Sequence, residues 1–257
     1  HLHVKLQLQQ MDAKRNLTVA MMSMSTVTAA IVGSYVGMMP GQFVLTAIPL
    51  NILSAIMMTT ILNPTQVAEA DDTIAVLDHD ETTEDGKVKR QPFFAFLGDS
   101  IQGAGLVAVI IVATVIAFVG LASLIDNLLS LTTLSWLSLE NIFGVIMFPF
   151  AWLMGLDVSH AFEFAQYMGT KLVTNEFVVM GKVQNSITTF APHYQAVLTV
   201  FVTSFANFST VGMIIGAFKG LVDREKNDMI AKNVGYMLLS GILVSLLSAA
   251  TVGLFVW

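Results

Sequence analysis

M-S-T-V-T-A-A-I-V-G-S-Y, from Met24 to Tyr35, and F-A-N-F-S-T-V-G-M-I-I-G-A-F, from Phe205 to Phe218, are two apolar stretches interrupted by nearly the same residues. Each carries Ser-Thr-Val and then a small-residue run that ends at Gly33 or Gly216. Matching polar breaks inside matching apolar segments are the pattern of a transporter built from repeats, with its substrate site near the bilayer midplane. Backbone groups freed at such a depth are costly unless they are buried in protein or bind something.

Working outward, the chain reads as a membrane protein. Of its 257 residues 55% are hydrophobic and only 12% charged, against about 25% charged in an average soluble chain. No Lys or Arg occurs between Arg15 and Lys87, between Arg90 and Lys171, between Lys182 and Lys219, or after Lys232. Those gaps hold stretches long enough to cross a bilayer, which takes about 20 residues. The net charge of −6 says little about partners, because Glu69, Asp71, Asp72, Asp78, Asp80, Glu81, Glu84 and Asp85 crowd one linker. With no cysteine, neither disulfides nor thiolate metal sites are available. No cleavable signal pattern is present. The chain opens at His1 rather than Met, and a portion of a longer protein is expected.

The expected fold class is an all-α polytopic membrane protein, with five transmembrane segments (two of them broken) and one re-entrant helical hairpin. Residues 1–16 read as a polar interfacial segment. Residues 17–62 hold the broken first span and the second span, parted by the Pro40-Gly41 turn signal. Residues 63–100 form an acidic linker, and 101–126 the third span. Residues 131–180 read as the hairpin: two apolar pieces, about Leu139 to Met154 and Val158 to Met180, around a Gly155-Leu-Asp turn. Asp157, His160, Glu163, Lys171 and Glu176 are too many ionisable groups for a lipid-facing helix. Two full crossings are the alternative. Residues 190–257 carry the second broken span and the last span. Ten basic residues fall on one side and Lys182 on the other, so linker 63–100 and loop 219–232 are expected in the cytoplasm and the C-terminus outside.

Asn175-Glu176-Phe177 is the sharpest signal inside the membrane. An intramembrane carboxylate marks a substrate or ion pathway by default, and it can accept from two adjacent hydroxyls, as a ribose diol offers. The plainer reading is an ion pair with Lys171, although five residues is a poor helical spacing for one. Asn207 both donates and accepts, and Thr210 adds a hydroxyl three residues on; against this, such residues also glue helices together. Phe205 either faces a planar ring or simply packs. Thr26 and its neighbours Ser25 and Thr28 suit a hard cation, or bond back to helix carbonyls. His160 reads as a turn residue, with proton carriage as the alternative. No metal, phosphate-loop or nucleophile-triad pattern appears, so no enzyme, organic cofactor or nucleic-acid partner is expected.

On these residues the chain resembles the C-terminal half of the bacterial concentrative nucleoside transporters, the nucleoside permease type. The matching stretches are those from Met24 and Ser204, F-A-W-L-M-G from Phe150, G-T-K-L-V-T-N-E-F-V from Gly169 and L-L-S-A-A-T-V-G-L-F from Leu246. The resemblance implies a homotrimeric cation-coupled importer of nucleosides in a bacterial inner membrane, driven by sodium or protons and moving substrate by an elevator-like shift. It puts the ribose on Glu176, Asn207 and Thr210, the base near Phe205, and a sodium ion on Thr26 and Val27. Thr210 stands where many members have serine. His1 to Asn16 contains no counterpart of the family's upstream base-reading hairpin. The chain is therefore expected to hold the ribose side of the site and not to transport alone. The alternatives are a symporter for another small polar substrate and a membrane nucleoside sensor without vectorial flux. An anionic substrate is disfavoured, because no span holds an Arg.

Overall fold

The structure, a computed structural model, describes residues 7–67, 81–82, 88–89, 92–131 and 136–257. Helices α1 (Ala13–Ser23) and α2 (Ala29–Met38) form the first broken segment, followed by α3 (Gly41–Leu62). After a two-residue antiparallel pairing of Glu81–Thr82 with Val88–Lys89 come α4 (Phe93–Ser130), α5 (Leu139–Leu153), α6 (Val158–Val173) and α7 (Glu176–Val183). The second broken segment is α8 (Pro192–Val202) and α9 (Phe208–Lys219), and α10 (Arg224–Lys232) and α11 (Val234–Gly253) end the chain.

The long helices are built inside out. On α3 the inward residues include Ala47, Asn51, Ser54, Ala55 and Thr59, while Leu45, Ile52, Leu53, Ile56 and Ile61 are exposed. Small and polar residues let helices approach and bond, as Ser248 of α11 does to Ser54 of α3 at 3.1 Å, and large apolar residues face outward. The same apolar exposure runs along α4 at Val109, Val112, Ile116, Leu121, Leu124 and Leu128. At about 1.5 Å per residue, α3 and α11, of 22 and 20 residues, each reach across a hydrocarbon core of about 30 Å.

Two apolar cores form. The larger draws on α2, α3, α5, α6, α7, α8 and α11, with Tyr35, Phe164, Met168, Leu198 and Phe201 fully enclosed. The smaller gathers Leu17, Met21 and Met24 of the α1 side with Val211, Ile214 and Phe218 of α9, Ile230 of α10 and Met237 of α11. Each broken segment thus has one half in each core, and both breaks lie at the seam. They meet on α11: a Cβ at Gly241 would lie 2.8 Å from the Ala206 Cβ and 3.2 Å from the Met24 Cβ, so only glycine admits the second break at this distance.

The hairpin region keeps its expected turn. α5 and α6 pack side by side, joined through Gly155, whose φ of 90° suits glycine. Asp157 caps α6 by accepting from the Ser159 and His160 amides. The sequence places one helical piece over Val158 to Met180, and here the structure differs: Thr174 and Asn175 leave helical geometry, and α7 starts at Glu176. The reason is local polar competition. The Thr174 hydroxyl donates back to the Thr170 carbonyl at 2.6 Å, and the Asn175 side chain accepts from the Val178 amide at 3.1 Å. One other boundary moves. The third span, expected at 101–126, is the core of a helix that starts at Phe93, because Pro92 opens a helix that the apolar Phe93, Phe94, Phe96 and Leu97 continue. Within the N-terminal polar segment Asn16 is buried, and its amide donates to the Leu8, Met11 and Asp12 carbonyls at 2.9, 3.1 and 3.0 Å. Most of the acidic linker lies outside the described residues.

Candidate functional site

The second break decides where the polar groups go. α8 ends at Val202 and α9 starts at Phe208, and the residues between are almost wholly buried. The last carbonyls of α8 lack intrahelical donors and need others. The Lys171 ammonium supplies three contacts: the Phe201 carbonyl at 2.6 Å, the Ser204 hydroxyl at 2.6 Å and the Ser245 hydroxyl at 3.3 Å. The Asn51 amide of α3 donates to the Thr203 carbonyl. Lys171 is 0% exposed. A cation at the C-terminal end of a helix is well placed against the helix dipole, and the ring of Phe201 lies 4.5 Å from the ammonium. The ion pair with Glu176, the plainer alternative for that carboxylate, is not among these contacts.

Asn207 opens α9. Its Oδ1 accepts from the Thr210 amide at 2.8 Å and the Thr210 hydroxyl at 3.0 Å. That fixes the side-chain amide: with Oδ1 turned to α9, Nδ2 points away and donates to Glu176 Oε2 at 2.9 Å. The other carboxylate oxygen, Oε1, accepts from the Tyr35 hydroxyl of α2 at 2.8 Å. Glu176 is 4% exposed, Asn207 1% and Tyr35 0%. Residues 31 and 141 positions from the carboxylate in sequence thus converge on it.

The structure brings together Glu176, Asn207 and Thr210, which the sequence singled out. Phe205 is half-buried and packs against the larger core. Thr26 and Val27 lie in the first break, which is more open. The Thr26 hydroxyl donates back to the Met22 carbonyl at 3.2 Å, and Ser25 does the same at 3.4 Å, the local bonding weighed against the cation role. His160 is at the surface, paired with Asp157 and edge-on to Tyr194 with ring centroids 5.5 Å apart. Sequence reasoning missed Tyr35, Asn51 and Gly241. No short-range spacing marks them, although a tyrosine two turns past a polar break was a visible signal. No group of three or more His, Asp or Glu side chains suited to a metal occurs among the described residues.

Residues 43–253 match the family model described as Na+ dependent nucleoside transporter C-terminus. The chain belongs to this family. It is 43% identical over 254 residues to the purine nucleoside transport protein NupG of Bacillus subtilis, covering 99% of this chain and 62% of that protein. It is 33% identical over 148 residues to the uncharacterized transporter YutK of the same organism, covering 56% of this chain and 36% of that one. The chain therefore spans less than two thirds of these relatives. Among solved structures, CNTnw in an inward-facing substrate-bound state superposes with a TM-score of 0.78 at 22% identity, over 99% of this chain and 60% of that one. At that identity the likeness shows a shared fold. Membership makes the chain part of a membrane-integral transport protein rather than an enzyme, and accounts for the outward apolar faces of α3 and α4.

Proposed function

We propose that this chain forms the ribose-holding part of a cation-coupled nucleoside symporter in a bacterial inner membrane. The observation that carries the reading is the buried Glu176 carboxylate held between Asn207 and Tyr35. An unliganded carboxylate in such a place is costly, and its open lone pairs suit hydroxyls delivered by a polar, uncharged ligand. Glu176, Asn207 and Thr210 take the ribose, and Phe205 flanks the base. Purine nucleosides are the first substrates to try, given the identity to a protein named for them. Thr26 and Val27 supply oxygens to the coupling ion, sodium or a proton's hydronium. Binding of that ion favours the substrate-competent arrangement by linkage.

In the membrane we read five crossings: the α1–α2 segment, α3, α4, the α8–α9 segment and α11. The chain between Leu139 and Val183 enters and returns to the same side. The loop holding Lys219, Arg224, Lys226 and Lys232 then faces the cytoplasm, the C-terminus faces outward, and three copies assemble. Glu176→Gln in the full-length protein tests the site. Adenosine binding is expected to weaken by about 30-fold, the worth of one charge-assisted hydrogen bond. Unchanged affinity in a folded Glu176→Gln protein would remove the ribose role. Counterflow of labelled adenosine in liposomes separates a transporter from a nucleoside sensor.

A further inference from the structure

The carboxylate of Glu176 has about four lone-pair positions, two on each oxygen. Tyr35 occupies one on Oε1 and Asn207 one on Oε2. The residue's own amide is also turned towards the carboxylate, but among the described residues no other side chain donates to it, so each oxygen keeps a position that no side chain fills. Two adjacent hydroxyls of a vicinal diol need that arrangement, one acceptor each on neighbouring atoms. Had both protein donors bonded the same oxygen, the second hydroxyl would have met a crowded acceptor.

The two donors are held by different parts of the molecule. Asn207 is locked by its role at the start of α9, as its Oδ1 is committed to the Thr210 amide and hydroxyl. Tyr35 is locked by packing. Its ring is fully buried and meets the edge of Phe177, with centroids 5.2 Å apart and planes at 61°. Phe177 directly follows Glu176, so α2 grips the first turn of α7 twice, by ring contact and by hydroxyl. A phenol in this place has one hydrogen to give and gives it to the carboxylate. The bond sets both the angle of the carboxylate and the side left open.

Tyr35 also belongs to the segment that starts at the first break. Thr28 is the residue before α2, and its side chain does not cap the helix. Tyr35 stands seven residues further on, about 10 Å along the axis at 1.5 Å per residue. Helices move as stiff bodies between discrete packings. A change in how the first break is filled would therefore shift α2 as a body, and with it the hydroxyl bonded to Glu176.

We propose that Tyr35 is a positioning residue for the substrate: its hydroxyl holds the Glu176 carboxylate so that one acceptor on each oxygen faces a vicinal diol, and it ties that carboxylate to the state of the first break. This rests on Glu176 being the ribose ligand. Tyr35→Phe removes one oxygen atom and keeps the ring contact with Phe177.

The experiment measures binding of adenosine, 2′-deoxyadenosine and 3′-deoxyadenosine to the full-length wild-type, Tyr35→Phe and Glu176→Gln proteins in detergent, with and without sodium, alongside each protein's melting temperature. Tyr35→Phe is expected to weaken adenosine about tenfold, the scale of one hydrogen bond to a charged group. It should weaken a deoxy analogue that lacks the bonded hydroxyl by less than about twofold, leave the melting temperature near wild type, and shrink the gain in adenosine affinity that sodium brings. Equal weakening of all three ligands would assign Tyr35 to general packing and overturn the proposal, as would no weakening of any while Glu176→Gln weakens adenosine. If Glu176→Gln binds adenosine like wild type, the ribose reading itself fails, whatever Tyr35→Phe does.

Discussion

The two breaks carry almost the same Ser-Thr-Val sequence and are finished in opposite ways. In the second, every nearby element contributes: Lys171 from α6 and Asn51 from α3 take the carbonyls that end α8, Ser245 of α11 completes the ammonium's contacts, and Asn207 caps α9. In the first, the polar groups bond within their own turn. Ser25 and Thr26 return their hydroxyls to Met22, Thr28 leaves α2 without a side-chain cap, and residues 28–30 are exposed. No charged side chain is bonded there among the described residues. The second break therefore contains its own cation, a tethered ammonium that cannot leave, and its geometry is rigid. The hydroxyls of the first are held only by local bonds, which suits the ion role proposed for it. In the symport proposed above, this asymmetry would give one fixed platform for the substrate and one segment whose packing the ion can shift.

The sharpest way to break the comparison is Lys171→Met. The substitution keeps length and apolar volume but leaves the buried Phe201 carbonyl without its donor and removes the contact to the Ser204 hydroxyl. A buried acceptor left without its donor costs about 1–3 kcal/mol. The melting temperature of the detergent-solubilised protein is expected to fall by several degrees, with nucleoside binding lost. A protein as stable as wild type that still binds would mean that the second break is not stapled by the ammonium. It would then resemble the first.

Gly241→Ala tests the point that the breaks share. The new methyl would meet the Ala206 and Met24 Cβ atoms at 2.8 and 3.2 Å, and neither atom can rotate away because each is fixed to its backbone. Overpacking of this kind costs about 1–3 kcal/mol. Gly235→Ala in the same helix is the control: nothing lies within 4 Å of its added Cβ, and the substitution should stabilise by up to about 1 kcal/mol through helix propensity. If Gly241→Ala melts with the control, the breaks do not converge on α11 as described.

Legibility in the sequence follows the range of the interactions. Both breaks were visible because hydroxyls and an amide interrupt apolar runs, a local pattern. The Gly155-Leu-Asp turn was legible for the same reason, whereas the capping by Asp157 and Asn207 was not read from the sequence. Glu176 stood out because a carboxylate is rare in apolar surroundings. Its partners were another matter. Asn207 lies 31 residues away and Tyr35 141, and no periodicity links them. Gly241 looked like any glycine of a membrane helix until the second break was found lying against it. The split at Thr174 was missed because the surrounding residues continue an apolar period, while the deciding bonds come from Thr174 and Asn175 turning back on the chain. Lys171 suggested a partner for Glu176 by proximity in sequence, and the carbonyl that receives it is 30 residues off.

The smallest effect is expected at the first break and sharpens the comparison most. Thr26→Val keeps the shape and removes the hydroxyl that bonds Met22 at 3.2 Å. That bond is long and lies within one turn in a partly exposed place, so its loss should cost under about 1 kcal/mol of stability. If the first break holds the coupling ion through this oxygen, the cost appears elsewhere: the sodium concentration for half-maximal adenosine binding rises several-fold, while adenosine affinity at saturating sodium stays near wild type. A substitution in the fixed platform cannot give that result, because it changes affinity at every ion concentration. Titrating sodium against adenosine binding in Thr26→Val separates the two. A curve that is lowered but not displaced would make the first break another structural joint. A displaced curve with an unchanged plateau marks it as the segment that the ion controls.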